Sequence, residues 1–166
     1  MEKHIQIVFP ELKETVLIKV DDSQSPNTVK AILDSLPIEV NINKWGKELY
    51  TDKTLIRAQE ENAKSEVSLL DVAFWPEGSA LCLFYGPTPI SKPNKIEPYS
   101  PVNIVGRIVT EEADRRSLLE SLSDPCVGKA RRFSYLVTEK AEQVKDQLLK
   151  EYRENHGGNM PACMDK

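Results

Sequence analysis

The stretch FWPEGSALCLFYGPTP, Phe74 to Pro89, holds four of the chain's eleven aromatic residues and three of its eleven prolines. Apolar residues run through SLLDVAFW, stop at Trp75-Pro76-Glu77-Gly78 and resume in ALCLFY, which predicts two strands joined by a tight turn. Proline at the second place and glycine at the fourth suit a type I turn. Successive residues of a strand point to opposite faces, so Phe74 and Trp75 part company, as do Phe84 and Tyr85. One member of each pair then fills the core while the other faces outward.

Upstream, Ile5-Ile7-Phe9 and Val16-Ile18-Val20 alternate with polar residues and predict two paired strands with one buried face. In SPNTVKAILDSLP, Ser25 can cap a helix and Pro26 suits its first turn. Val29, Ile32, Leu33 and Leu36 recur at helical spacing until Pro37. IEVNINKWGKELYT supplies β-branched and aromatic residues for two strands around a turn or bulge at Gly46. Downstream of Gly86, five prolines from Pro87 to Pro101 predict a long, stiffened surface connection. VNIVGRIV reads as a strand, a second helix opens at Thr110 with Glu111 and Glu112 in its first turn, and Val127 to Leu136 reads as a closing strand. Many strands and two internal helices predict a mainly β fold, a closed antiparallel barrel with helices covering its ends.

The pattern changes after residue 135. TEKAEQVKDQLLKEYREN places Ala141, Val144, Leu148 and Tyr152 on one helical face before Gly157-Gly158. The expected organisation is therefore a barrel domain over residues 1–135 and a helical extension with a flexible tail over 136–166. The extension's apolar stripe either packs back on the barrel or meets a second copy to make a homodimer.

Composition narrows the function classes. With 166 residues, 40% hydrophobic and 29% charged, the chain can bury a core without staples, and no apolar run approaches the roughly 18 residues of a membrane span. The first residues lack the features of a secretory signal, and three cysteines without Cys-x-x-Cys spacing fit a reducing compartment, so a soluble, cytoplasmic protein is expected. A net charge of -4 argues against a nucleic-acid partner, and Lys129, Arg131 and Arg132 read as the solvated face of a strand. His4 and His156 are the only histidines, which leaves no nucleophile and base pairing. The seven glycines form no phosphate loop. His156, Met160, Cys163 and Met164 form a soft set in the tail, but their spacing matches no metal template, and neither metal nor cofactor is expected. The outward aromatics remain. Trp45, Tyr50, Trp75 and Tyr85, together with Asn103, are candidates to line an outer groove for an extended peptide or small ligand.

Three segments also carry a family likeness. NKWGKELY (Asn43 to Tyr50), DVAFWPEGSALCLFYGPTP (Asp71 to Pro89) and PVNIVGRI (Pro101 to Ile108), in this order, resemble the small cyclophilin-like proteins of bacteria and archaea over about residues 3 to 135. The resemblance implies a closed eight-stranded β-barrel with two capping helices. It implies no activity by itself. True cyclophilins isomerise prolyl bonds with an arginine that donates to the twisted amide nitrogen, and neither their Phe-His-Arg nor their Phe-Met-x-Gln string occurs here. Aligning Gly106 to the shared glycine puts Val102 where the enzymes carry the groove histidine. Lys44 and Lys47 flank Trp45, but lysine lacks the planar fork of arginine. A divergent isomerase would have to use Arg57 or Arg107 instead. The resemblance therefore favours a binding domain without catalysis over a prolyl isomerase.

Overall fold

The computed structural model describes residues 3–9, 14–110, 119–120 and 131–136; for residues 14 and 131–136 the backbone alone is described. Nine antiparallel strands and one helix occupy these segments. They are β1 (His4–Phe9), β2 (Glu14–Val20), α1 (Pro26–Ser35), β3 (Ile38–Val40), β4 (Ile42–Trp45), β5 (Glu48–Thr51), β6 (Asp71–Trp75), β7 (Ala80–Phe84), β8 (Asn103–Ile108) and β9 (Arg131–Leu136). The sheet order is β3-β9-β1-β2-β8-β6-β7-β5-β4.

The expected closed eight-stranded barrel is thus replaced by a nine-stranded half-barrel whose ladder has two edges, β3 and β4. The difference arises at Asn41. IEVNINKW reads as a continuous strand, yet the chain breaks there: Val40 stays paired with Arg131 of β9, and Ile42 pairs with Thr51 of β5. Asp52 N–H donates to the Asn41 carbonyl at 3.0 Å and the Asn41 amide donates to the Asp52 carboxylate, so Asn41 continues the β4–β5 register and stands where the chain passes from one edge strand to the other. The two edges are consecutive in the chain, which curls the sheet round and leaves a seam between them. Of the second helix expected after Thr110, Leu119 and Glu120 are helical and the rest lies outside the described residues. So do the expected C-terminal helix, with its apolar stripe to pack back on the barrel or meet a second copy, and the tail's soft set.

The concave face carries the main core. Ile5, Ile7 and Phe9 from β1, Val16 and Ile18 from β2, Leu49 from β5, Val72 and Phe74 from β6, and Leu81 and Leu83 from β7 pack with Val29 and Ile32 of α1. Fully burying side chains of this kind stabilises by about 1.5–3 kcal/mol each. A bulge between Val72 and Ala73 adds Val105 to β8 and turns it into this core.

The convex face is not left to solvent. The segments 52–70 and 86–102 cross it and bridge each other, Lys64 with Val102 and Val67 with Ile96, and they bury a second cluster of Val67, Ala73, Cys82, Phe84 and Val102. The alternation of Phe74 and Trp75 holds, with Phe74 in the main core and Trp75 packed on the convex cluster. Phe84 and Tyr85 also part, but it is Phe84 that lies on the convex side and Tyr85 that fills the interior, 4% exposed.

α1 is capped from a distance. Ser25 occupies the cap position without a side-chain bond to the helix, its Oγ donating instead to the Glu61 carbonyl. Glu61 supplies the acceptors: Oε1 takes the Asn27 N–H at 3.1 Å and Oε2 takes the Thr28 N–H at 2.9 Å. Despite some desolvation, these bonds hold its carboxyl below the usual range, as expected of an anion at a helix N-terminus. Asn103, fully buried, joins this network. Its Oδ1 accepts from Glu61 N–H at 2.9 Å, and its amide donates to Thr28 Oγ1 at 3.0 Å and to Gln59 O at 2.8 Å. Removing the amide strands three partners, of which Thr28 is buried and the backbone groups of Gln59 and Glu61 are part-buried, at up to about 1–3 kcal/mol each before relaxation. Asn103→Ala is therefore expected to lower unfolding stability by about 3 kcal/mol, read as a shift of the urea midpoint with little change in slope; an unchanged midpoint would show that the network is dispensable.

Candidate functional site

A pocket of about 210 Å³ opens where the convex strands meet the proline-rich loop, lined by Trp45, Glu48, Tyr50, Trp75, Pro98, Tyr99, Ser100 and Val102. The β4–β5 hairpin supplies the first three. Its two-residue turn is Gly46-Lys47, with Gly46 at φ +61°, the conformation that a primed turn demands at its first central place. Trp45 pairs directly with Glu48 across it, and Tyr50 follows Glu48 by two residues, so all three project from one face.

Trp75 closes β6. Its Nε1–H donates to Ser100 Oγ at 2.6 Å, and Ser100 Oγ donates to Glu77 Oε2 at 2.6 Å. The β6–β7 turn is set one residue later than the sequence suggests: Ser79 N–H bonds to Pro76 O, and Ser79 takes φ +49°. The pairing of Trp75 with Ala80 leaves four residues in the loop, and Gly78 lies under the indole. A Cβ there would stand 2.1 Å from Trp75 Cε3.

The loop itself is built around Thr88. Its Oγ1 donates to the Glu97 carbonyl, while Ser91 Oγ accepts from the N–H groups of Thr88 and Glu97. These bonds fix the segment leading to Pro98-Tyr99-Ser100. Tyr99 stands edge-on to both indoles, its ring centroid 6.0 Å from that of Trp45 and 6.0 Å from that of Trp75. It is nevertheless 67% exposed and forms the outer wall.

Glu48 sets the electrostatics. It is 5% exposed, and its Oε2 has no hydrogen-bond partner among the described residues. Burial pushes its carboxyl up to about 7, against a smaller opposing effect of the Cys82 thiol, which donates to it. Burial, with the adjacent Glu48 charge, raises the Cys82 thiol well above the ordinary range, so Cys82 is inert as a nucleophile at neutral pH.

The expected groove residues divide. Trp45, Tyr50 and Trp75 come together in the pocket, whereas Tyr85 fills the interior and Asn103 belongs to the α1 network. Arg57 is exposed and lines neither this pocket nor the larger cleft of about 510 Å³ bordered by Lys19, Asp21, Lys64, Glu66, Asp71 and Arg107. In that cleft Arg107 is committed, donating to the Leu69 carbonyl at 2.9 Å and lying 3.5 Å from the Asp71 carboxylate. Sequence reading missed Glu48, Pro98, Tyr99 and Ser100. The two-residue turn was signal enough for Glu48, since it forces Glu48 opposite Trp45. Tyr99 sits in an aperiodic loop and gave no signal.

The cyclophilin-like family profile matches residues 3–123. The chain belongs to the cyclophilin-like family. Its structure is similar to the solution structure of a hypothetical protein from Archaeoglobus fulgidus, with 37% identity, a TM-score of 0.62, and coverage of 80% of this chain and 94% of that one. No curated protein matches the sequence. In this cyclophilin-like domain the pocket includes Val102, the residue that the motif alignment sets in place of the enzymes' groove histidine. Among the described residues no three His, Cys, Asp or Glu side chains cluster as metal ligands, and no helix is long and apolar enough to cross a membrane.

Two outcomes test this geometry. The unfolded Glu48 loses its proton near 4.5 and the folded one near 7, so the folded state holds more protons in that window and stability falls as pH rises through it. Glu48→Gln is expected to flatten that slope and to exceed the wild type by up to roughly 3 kcal/mol above pH 7, with the two converging near pH 4; parallel pH profiles would contradict the buried carboxyl. Gly78→Ala is expected to displace the Trp75 indole, seen as a red shift of tryptophan emission, at a cost of about 1–3 kcal/mol.

Proposed function

We propose that this cyclophilin-like domain is a binding module that holds a compact ligand in the Trp45, Tyr50, Trp75 and Tyr99 pocket and does not isomerise prolyl bonds. The convergence of four aromatic side chains on one small concavity carries the reading. Ligand sites are concave and mostly apolar with a few placed polar groups, and this one is fixed before any ligand arrives by the Trp75–Ser100–Glu77 chain and the Thr88 loop anchor. At about 210 Å³ it falls below the roughly 300–1,000 Å³ of drug-sized sites, which favours a compact molecule over an extended peptide.

Isomerase chemistry needs a hydrogen-bond donor aimed at a prolyl nitrogen beside an apolar groove. Neither arginine proposed for that role lines the pocket: Arg57 is exposed elsewhere, and Arg107 is bonded to Leu69 and Asp71 in the polar cleft. Exchange NMR on a proline-containing peptide is therefore expected to show cis–trans interconversion no faster than the uncatalysed tens of seconds. A fragment screen followed through the two indole N–H signals is expected to place hits at Trp45 and Trp75, with Trp75→Ala weakening them at least about tenfold. Hits confined to the polar cleft, or accelerated isomerisation, would overturn the reading.

A further inference from the structure

We propose that the convex pocket takes a small methylated ammonium ion of about the size of choline, seated on the faces of Trp45, Tyr50, Trp75 and Tyr99 and paired with the carboxylate of Glu48. The inference rests on the binding function proposed above and gives that site its ligand chemistry.

Two independent features select the same sign of charge. Aromatic faces are negative and attract cations within about 6 Å of the ring centroid, and groups of such rings recognise methylated ammonium ions. Here four aromatic side chains line one pocket, with Tyr99 edge-on to both indoles. The second feature is Glu48, whose Oε2 is buried without a partner among the described residues. A buried carboxylate needs a counter-charge. An apolar ligand would leave that oxygen unpaired, and an anion would meet repulsion from both carboxylate and rings.

The pocket also discriminates between cations. A primary ammonium brings three N–H donors that each need an acceptor. The tyrosine hydroxyls apart, the side chains lining the pocket offer one free carboxylate oxygen and a Ser100 hydroxyl already bonded to Trp75 and Glu77. A quaternary ammonium has no N–H to satisfy and sheds its hydration more cheaply. The Cys82 thiol from β7 donates to Glu48; the other titratable groups lining the pocket are Tyr50 from its own strand and Tyr99 from the loop, with Glu77 reaching the rim through Ser100. No lysine or arginine is among the lining residues. Because burial sets the carboxyl near 7, proton and ligand compete for it around neutrality.

The test is a titration of the full chain, read at the indole N–H signals, with choline, its neutral carbon isostere 3,3-dimethylbutan-1-ol, and ethanolamine, at pH 8 and pH 6. Choline is expected to bind at least about tenfold more tightly than the alcohol at pH 8. It should weaken several-fold at pH 6 while the alcohol does not. In Glu48→Gln, the preference of choline over the alcohol should shrink several-fold and lose its dependence on pH, leaving only the contribution of the rings. Equal affinity of choline and the alcohol for the wild type would overturn the cation assignment and leave the pocket function standing. Ethanolamine binding as tightly as choline would overturn the preference for methylation. If no probe moves the indole signals, the cation assignment falls; fragments that do move them would still uphold the pocket.

Discussion

One buried amide organises the covering of the sheet. Asn103 begins β8, and its side chain ties that strand to the N-terminus of α1 and to the backbone of residues 59 and 61. Fixing residue 61 fixes the segment that follows, where Lys64 exchanges two backbone hydrogen bonds with Val102. Val102 immediately precedes Asn103, so the same short stretch anchors both the helix end and the segment crossing the convex face. Val67 then bonds to Ile96, which holds the proline-rich loop down. The position of Tyr99 over the two indoles thus descends, contact by contact, from a polar group in the interior.

This arrangement explains why the pocket needs no moving part to take shape. A loop of fifteen residues would ordinarily pay heavily in entropy for a single conformation. Here five prolines between Pro87 and Pro101 restrict the unfolded chain as well as the folded one, and Thr88 satisfies the loop's inner polar groups from a nearly buried position. Trp75 is fixed from both sides, by Ser100 at its nitrogen and by Gly78 beneath its ring. Gly46 keeps the opposite wall in register, since its positive φ sets the hairpin that pairs Trp45 with Glu48.

Local rules were legible in the sequence where one residue's neighbours decide its fate. The alternation in β1, β2 and β6 separated their two faces, and Pro26 marked the start of α1. Three of the pocket's aromatics, Trp45, Tyr50 and Trp75, stood on strands and could be read as a set. What escaped depends on contacts distant in sequence. At Asn41 the chain leaves β9 and joins β5, and the partners on its two sides, Arg131 with Val40 and Thr51 with Ile42, are distant in sequence. Ser25 holds the cap position of α1, yet Glu61 makes the bonds. Tyr85 and Phe84 exchange the roles assigned to them because the second cluster, under two loops, gives the convex face its own core. A pattern of alternation tells two faces apart; it does not tell which of them is covered.

Glu48 is the residue that folding alone would not choose. A glutamate buried without a partner for one oxygen weakens the native state at neutral pH, and neighbouring positions on the same face show what the fold prefers there: Phe84 and Cys82, both buried and apolar in character. A glutamine would keep the bond from the Cys82 thiol without the charge. Domains of this size have only about 5–15 kcal/mol of net stability, so a cost of a few kcal/mol at one position is a large fraction of the total. Costs of that kind concentrate where a site must present charge in a dry setting. Glu48 lies in the wall of the aromatic pocket, not at random in the core, where a positive ligand would offset the carboxylate. For such a ligand, the stability lost in the free protein would return as affinity, because the same desolvation that raises the carboxyl strengthens its attraction for a cation.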